Sequence, residues 1–103
     1  MNNTKNLLFI YGTLLNKNIQ IKLLGKIIKG DPDTFNNHKI TEIIIEEEKY
    51  PNIYFSINSE VNGMVIRVTK EELSIIDKYE TNTYKRVKIV LVSGNKAWVY
   101  KKA

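Results

Sequence analysis

Two stretches of this chain carry groups that could do chemistry. The first is a carboxylate at the end of a helical pattern. Projected at ~100° per residue, Leu73, Ile75, Ile76 and Tyr79 fall on one broad arc, with Lys70, Glu71, Asp77 and Lys78 outside it. Glu80 follows Ile76 by four residues and Leu73 by seven, so it points between those two side chains at the core edge. A carboxylate placed there loses water, and desolvation raises its pKa. A glutamate so shifted can exchange protons near neutral pH. Two structural alternatives stand beside this. In one the helix stops at Tyr79 and Glu80 turns to water; in the other Glu80 pairs with Arg86 or Lys85.

The second stretch is LFIYGTLLN, residues 8–16, a strand pattern that stops at Gly12. A strand leading through a short loop into a helix exposes backbone N–H groups, and these can hold an anion or an oxyanion. Gly12 is then the point where a ligand approaches the backbone. The alternative is an ordinary strand end, with Gly12 as a turn residue and Thr13 as a helix N-cap.

Other chemistries are excluded by composition. The chain has no cysteine, so it has no disulfide, thiolate metal site or thiol nucleophile. Its one histidine, His38, stands in the polar run FNNHKI and reads as a loop residue; one histidine builds no zinc site. No metal and no organic cofactor is expected. The net charge of +5 comes almost entirely from scattered lysines. Arg67 and Arg86 are the only arginines, and arginine is the residue that reads phosphates and bases in bidentate fashion. The densest basic group, Lys85-Arg86 with Lys88, lies on an expected strand. The balance argues against a nucleic acid partner.

The elements that must position Glu80 and the loop follow from pattern and punctuation. At 103 residues, one domain spanning 1–103 is expected. No apolar run approaches the ~20 residues of a membrane helix, and the N-terminal segment lacks the features of a secretion signal. The expected location is the cytoplasm, with no membrane partner. Nothing in the sequence specifies an oligomeric state. Residues 7–11 are apolar on both faces, as in a covered strand. A helix is expected over 16–24 with Gly25 as its C-cap, and a strand over 26–29. Turns are expected at 30–33 and 50–52. Strands are expected over 40–45, 53–57 and 61–68, with the acidic run 46–48 as a solvated strand end or turn. Gly63 inside the last of these marks a bulge or the close approach of another backbone. Thr69 and Glu72 form a capping box for the helix ending near Glu80. A strand over 84–92, a turn at 93–95 and a strand over 97–101 close the chain as a hairpin. This predicts an α+β fold, a small mixed β-barrel of about six strands with flanking helices.

Taken together, these segments resemble the gamma-glutamylcyclotransferase-like superfamily. Phe9-Ile10-Tyr11-Gly12-Thr13-Leu14 is similar to its YGTL signature. The segment LSIIDKYETNTYKR, 73–86, resembles its L-x-x-[LI]-D-x-[YF]-E…Y-x-R pattern. Tyr50-Pro51, the 61–65 run VNGMV and the closing Trp98-Val99-Tyr100 resemble weaker marks of the group. The resemblance implies the same small mixed barrel. It also implies release of 5-oxoproline and a free amine from a small gamma-glutamyl compound, by attack of the substrate's own α-amine on its γ-carbonyl. In this resemblance Glu80 is the general acid/base, and Tyr11, Gly12, Thr13 and Leu14 line the substrate cavity. Tyr84 and Tyr100 are candidates to orient substrate, with packing in the core or barrel rim as the alternative. Arg86 is expected to pair with Asp77 or Glu80. The pattern departs at Thr81, where many relatives carry glycine.

Overall fold

Strand β1 (Asn6–Ile10), apolar on both faces, runs through the middle of one mixed sheet in the computed structural model, which describes residues 6–103. Leu8 and Ile10 pack on one side of it and Phe9 on the other, each in its own apolar cluster. The chain continues through α1 (Lys17–Leu24), β2 (Asp31–Ile45), β3 (Glu48–Val68), α2 (Lys70–Glu80), β4 (Tyr84–Val90) and β5 (Lys96–Lys102). The strand order is β2-β3-β1-β5-β4. β1 is antiparallel to β3 and parallel to β5, and β4–β5 is the expected hairpin. The fold is α+β, a half-barrel with two helices.

There are five strands rather than six. The segments read at 53–57 and 61–68 join into one long strand, β3, and the segment at 40–45 is the end of another, β2. Residues 26–29 are not a strand: Lys26 Nζ pairs with Glu72 at 3.0 Å, and the Ile28 N–H donates to Gln20 Oε1 at 2.9 Å. The 30–33 turn is instead the approach to β2, an edge strand that tolerates Pro32. Nor is 50–52 a turn. β1 pairs only with the end of β3, from Met64 to Val68, so Pro51 lies in the two-stranded part of the ladder, where a missing N–H costs little. The bends come from Asn37 and Asn58, both at positive φ, with a bulge between Asn36 and His38. His38 is therefore in β2 and not in a loop, its ring stacked 3.9 Å from that of Phe35. Glu46 and Glu47, at φ 50° and 70°, make the β2–β3 hairpin turn. Gly63 does mark a close approach: a Cβ there would lie 2.5 Å from the Ile10 carbonyl oxygen.

Both helices are closed by local chemistry. Asn16, not Thr13, caps α1, its side chain accepting from the N–H groups of Asn18 and Ile19. Gly25 ends that helix at φ 75°. Thr69 and Glu72 form the expected capping box at the start of α2. Leu73 and Ile76 are buried against Leu8, Ile10 and Val68. Ile75 is not on that stripe: it lies about 200° around the helix from Leu73 and is 41% exposed. Tyr79 is also off that stripe, at 39% exposed. No helix among the described residues is long and apolar enough to cross a membrane.

Candidate active site

The carboxyl end of β1, the last turn of α2 and the start of β4 meet at one end of the sheet around a cleft of about 350 Å³. Tyr11, Gly12, Thr13 and Leu14 line it, and so do Glu80, Tyr84 and Tyr100. The residues nominated from the sequence thus surround one space, together with Pro51 and Thr81.

Glu80 is the last residue of α2 and is half-buried. Among the described residues none donates a hydrogen bond to it or pairs with it, and loss of water alone pushes its pKa up to about 7. Its protonated and ionised forms are then comparably populated near neutral pH. Arg86 does not neutralise it, because the Arg86 Nε lies 3.2 Å from Asp77 Oδ1 instead.

Three tyrosines of the cleft, Tyr11, Tyr84 and Tyr100, are committed donors. The Tyr11 hydroxyl donates to the Tyr100 carbonyl at 2.6 Å, the Tyr84 hydroxyl to the Pro51 carbonyl at 2.6 Å, and the Tyr100 hydroxyl to Asp77 Oδ1 at 2.5 Å. Burial pushes the Tyr84 phenol up to about 12, with the Glu80 charge adding to it. Burial raises Tyr11 further still, and Tyr100 is raised by burial and then by Asp77. These phenols keep their protons at any physiological pH, so Glu80 is the group of the four that can exchange one.

The loop is braced from behind. Thr13–Leu15 forms one tight 3₁₀ turn. The Gln20 amide, itself buried, donates to the Leu14 carbonyl at 2.7 Å and accepts from Ile28. The N–H groups of Gly12, Thr13 and Leu14 have no acceptor among the described residues. Gly12 is small because a neighbour needs the room: a Cβ would lie 2.7 Å from Pro51 Cγ. The glycine thus admits the Pro51 ring from β3 against the loop.

Asp77, Gln20 and Pro51 were not nominated from the sequence as site residues, although two of them left a signal. Asp77 follows Leu73 by four residues, about 40° around the helix, and so sits at the margin of the buried stripe. Gln20 stands three and four residues before Leu23 and Leu24, on the apolar side of α1. Among the described residues no group of three or more His, Asp or Glu side chains is placed to hold a metal ion.

Thr81, directly after Glu80, has φ 57° and ψ −155°. That region belongs to glycine, and a β-branched residue held there is strained by ~1–3 kcal/mol. Thr81→Gly should therefore stabilise the fold by about 1 kcal/mol, once glycine's extra freedom in the unfolded chain is subtracted. Thermal unfolding would show this as a rise of roughly 4–8 °C. A fall in melting temperature would mean that contacts of the Thr81 side chain outweigh the backbone strain.

A family model described as gamma-glutamyl cyclotransferase, AIG2-like, matches residues 8–103. A protein from Arabidopsis thaliana, known from its solution structure, is similar at 24% identity with a TM-score of 0.76, covering 98% of this chain and 71% of that one. A second Arabidopsis thaliana protein gives 25% identity and a TM-score of 0.74, covering 99% of this chain and 63% of that one. A gamma-glutamyl cyclotransferase shares the fold at 17% identity and a TM-score of 0.78, with 97% and 68% covered. This chain thus spans 63–71% of the length of these relatives. No curated protein matches the sequence.

Proposed function

Since the chain belongs to the gamma-glutamyl cyclotransferase, AIG2-like family, we propose that it converts a small gamma-glutamyl amine or amide into 5-oxoproline and a free amine. One observation carries the reading: a desolvated carboxylate without a partner among the described residues, Glu80, shares a cleft with three backbone N–H groups that lack acceptors. A site that only bound anions would gain nothing from that carboxylate.

Ionised Glu80 takes a proton from the substrate's α-ammonium. The freed amine attacks the γ-carbonyl carbon, and the new N–C bond closes a five-membered ring. The carbonyl electron pair moves onto oxygen. The amides of Gly12, Thr13 and Leu14 receive an anionic oxygen of the substrate, and a well-placed oxyanion donor contributes ~3–4 kcal/mol. Protonated Glu80 then passes its proton to the leaving nitrogen, and the oxyanion re-forms the carbonyl as the original C–N bond breaks. The ring nitrogen gives up its second proton through Glu80 to the departing amine, which leaves as an ammonium, and the carboxylate is regenerated. The nucleophile belongs to the substrate, so the chain needs none of its own. Holding the glutamyl group folded supplies ~7–11 kcal/mol through proximity. Tyr84 and Tyr100 shape the pocket that holds it.

Incubation with a panel of gamma-glutamyl amines and gamma-glutamyl amino acids should give 5-oxoproline and free amine in equal amounts from at least one of them. If none is cleaved while 5-oxoproline still binds, the cleft is an anion-binding site without catalysis.

A further inference from the structure

We propose that Asp77, Tyr100 and Tyr11 form one strut that sets the spacing between Glu80 and the 11–14 amide loop. The proposal rests on the proton-transfer reading of Glu80 given above. Asp77 lies on α2, three residues before Glu80. Its Oδ1 accepts the Tyr100 hydroxyl at 2.5 Å, which ties the helix to β5. The backbone carbonyl of Tyr100 accepts the Tyr11 hydroxyl at 2.6 Å, which ties β5 to the first residue of the loop. These two bonds join segments 23 and 89 residues apart in the chain. They run from the element that carries the proton-transfer group to the segment that carries the amides.

The ends of the strut are anchored. Arg86 Nε holds Asp77 at 3.2 Å, and its guanidinium rests 4.4 Å from the centre of the Trp98 ring. Asp77 therefore has partners on two strands, a hydroxyl donor and an ion-pairing guanidinium, and its carboxylate cannot turn without losing one. Tyr100 is buried, so water does not readily replace its bonds. The other committed hydroxyl, that of Tyr84, goes to Pro51 and lies outside this path.

A strut in series behaves differently from separate stabilising bonds. Cutting either link releases the same spacing, and cutting both releases nothing more. Tyr11→Phe and Tyr100→Phe keep the rings packed and remove one link each. Each should lower kcat roughly 10- to 100-fold, the scale of a misplacement of about 1 Å, with KM little changed. The double variant should fall no further than the worse single. Tyr84→Phe combined with Tyr100→Phe should instead multiply, since those bonds are independent. Losses that multiply in the Tyr11/Tyr100 pair would overturn the strut. So would a Tyr11→Phe variant with raised KM and unchanged kcat, which marks a substrate contact. If the wild type cleaves no gamma-glutamyl compound, the proposed reaction fails on its own, and the strut is read from the Glu80 carboxyl by carbon NMR titration. Cutting either link should admit water and lower its midpoint from about 7, by the same amount in the singles and the double. A midpoint unmoved in both singles refutes the strut.

Discussion

Glu80→Gln should reduce 5-oxoproline release by ~10²–10⁴ while substrate binding changes far less. The glutamine keeps the volume of the side chain at the end of α2 and cannot shuttle a proton. Tyr11, Tyr84 and Tyr100 cannot substitute, because their phenols are pushed up and each proton is held by a fixed acceptor. In the wild type, kcat/KM should climb as pH rises through about 7, since the first step needs the ionised carboxylate. The linked effect on stability has the opposite sign. The folded-state pKa of Glu80 lies above its ordinary value of 4.5, so the folded protein holds that proton more tightly than the unfolded chain does. Its contribution to stability is full below pH 4.5, declines as pH rises towards 7, and is flat above. Glu80→Gln lacks this dependence, so its melting temperature should gain on the wild type across that window. Equal 5-oxoproline release by the two proteins would remove Glu80 from the mechanism. Identical pH dependence of melting would show that the carboxylate is not desolvated.

The direction of the candidate site's carboxylate was more legible than the strands that surround the cleft, and the reason is physical. Helix α2 announces itself through a capping box, whose two hydrogen bonds join Thr69 and Glu72 within one turn. Once the start of a helix is fixed, the direction of every later side chain follows from 3.6 residues per turn. The direction of Glu80 is therefore set by its spacing from Leu73 and Ile76 alone. The same geometry, applied to four residues at once, drew the apolar arc too wide and took in Ile75. In β2 and β3 the punctuation misled. Proline and asparagine usually mark turns, yet Pro32 and Pro51 sit where the ladder does not miss an N–H, and Asn37 and Asn58 bend continuous strands. Whether such a residue ends a strand depends on which strand lies beside it, and that is a long-range fact. The bonds of Tyr11, Tyr84 and Tyr100 are long-range in the same sense, joining residues 89, 33 and 23 apart.

Gly12 shows how a local signal can be right in place and different in cause. A glycine at the end of β1 suggested a backbone kept bare for a ligand. In the structure its missing Cβ makes room for Pro51, whose carbonyl also receives the Tyr84 hydroxyl. The β2–β3 arm is thereby seated against the loop, and the loop's N–H groups stay unpaired within the described residues. The glycine serves the cleft by letting another element close over it.

Ile76→Ala should cost ~2–5 kcal/mol of folding stability, whereas Ile75→Ala should stay within about 0.5 kcal/mol of the wild type. The two residues are adjacent and chemically identical, so the comparison isolates the direction each one faces. Ile76 has no exposed surface and packs in the cluster of Leu8, Ile10, Val68, Leu73 and Tyr100. Truncation there removes buried methyl groups and leaves a void that the sheet beneath can fill only in part. Ile75 is 41% exposed and loses little when shortened. For a domain with a typical ~5–15 kcal/mol in total, the Ile76 variant gives up a large share. Its melting temperature should fall by roughly 4–8 °C for each kcal/mol. Urea unfolding followed by circular dichroism would measure both variants, and an unchanged slope would confirm that the folded and unfolded states compared are the same. The contrast bears on function because Ile76 lies one turn before Glu80 and fixes the face from which that carboxylate enters the cleft. Similar losses from both substitutions would mean that α2 is rotated about its axis, with Ile76 no longer facing the sheet. Glu80 would then lie on another side of the helix, and the proton-transfer mechanism would fall with it.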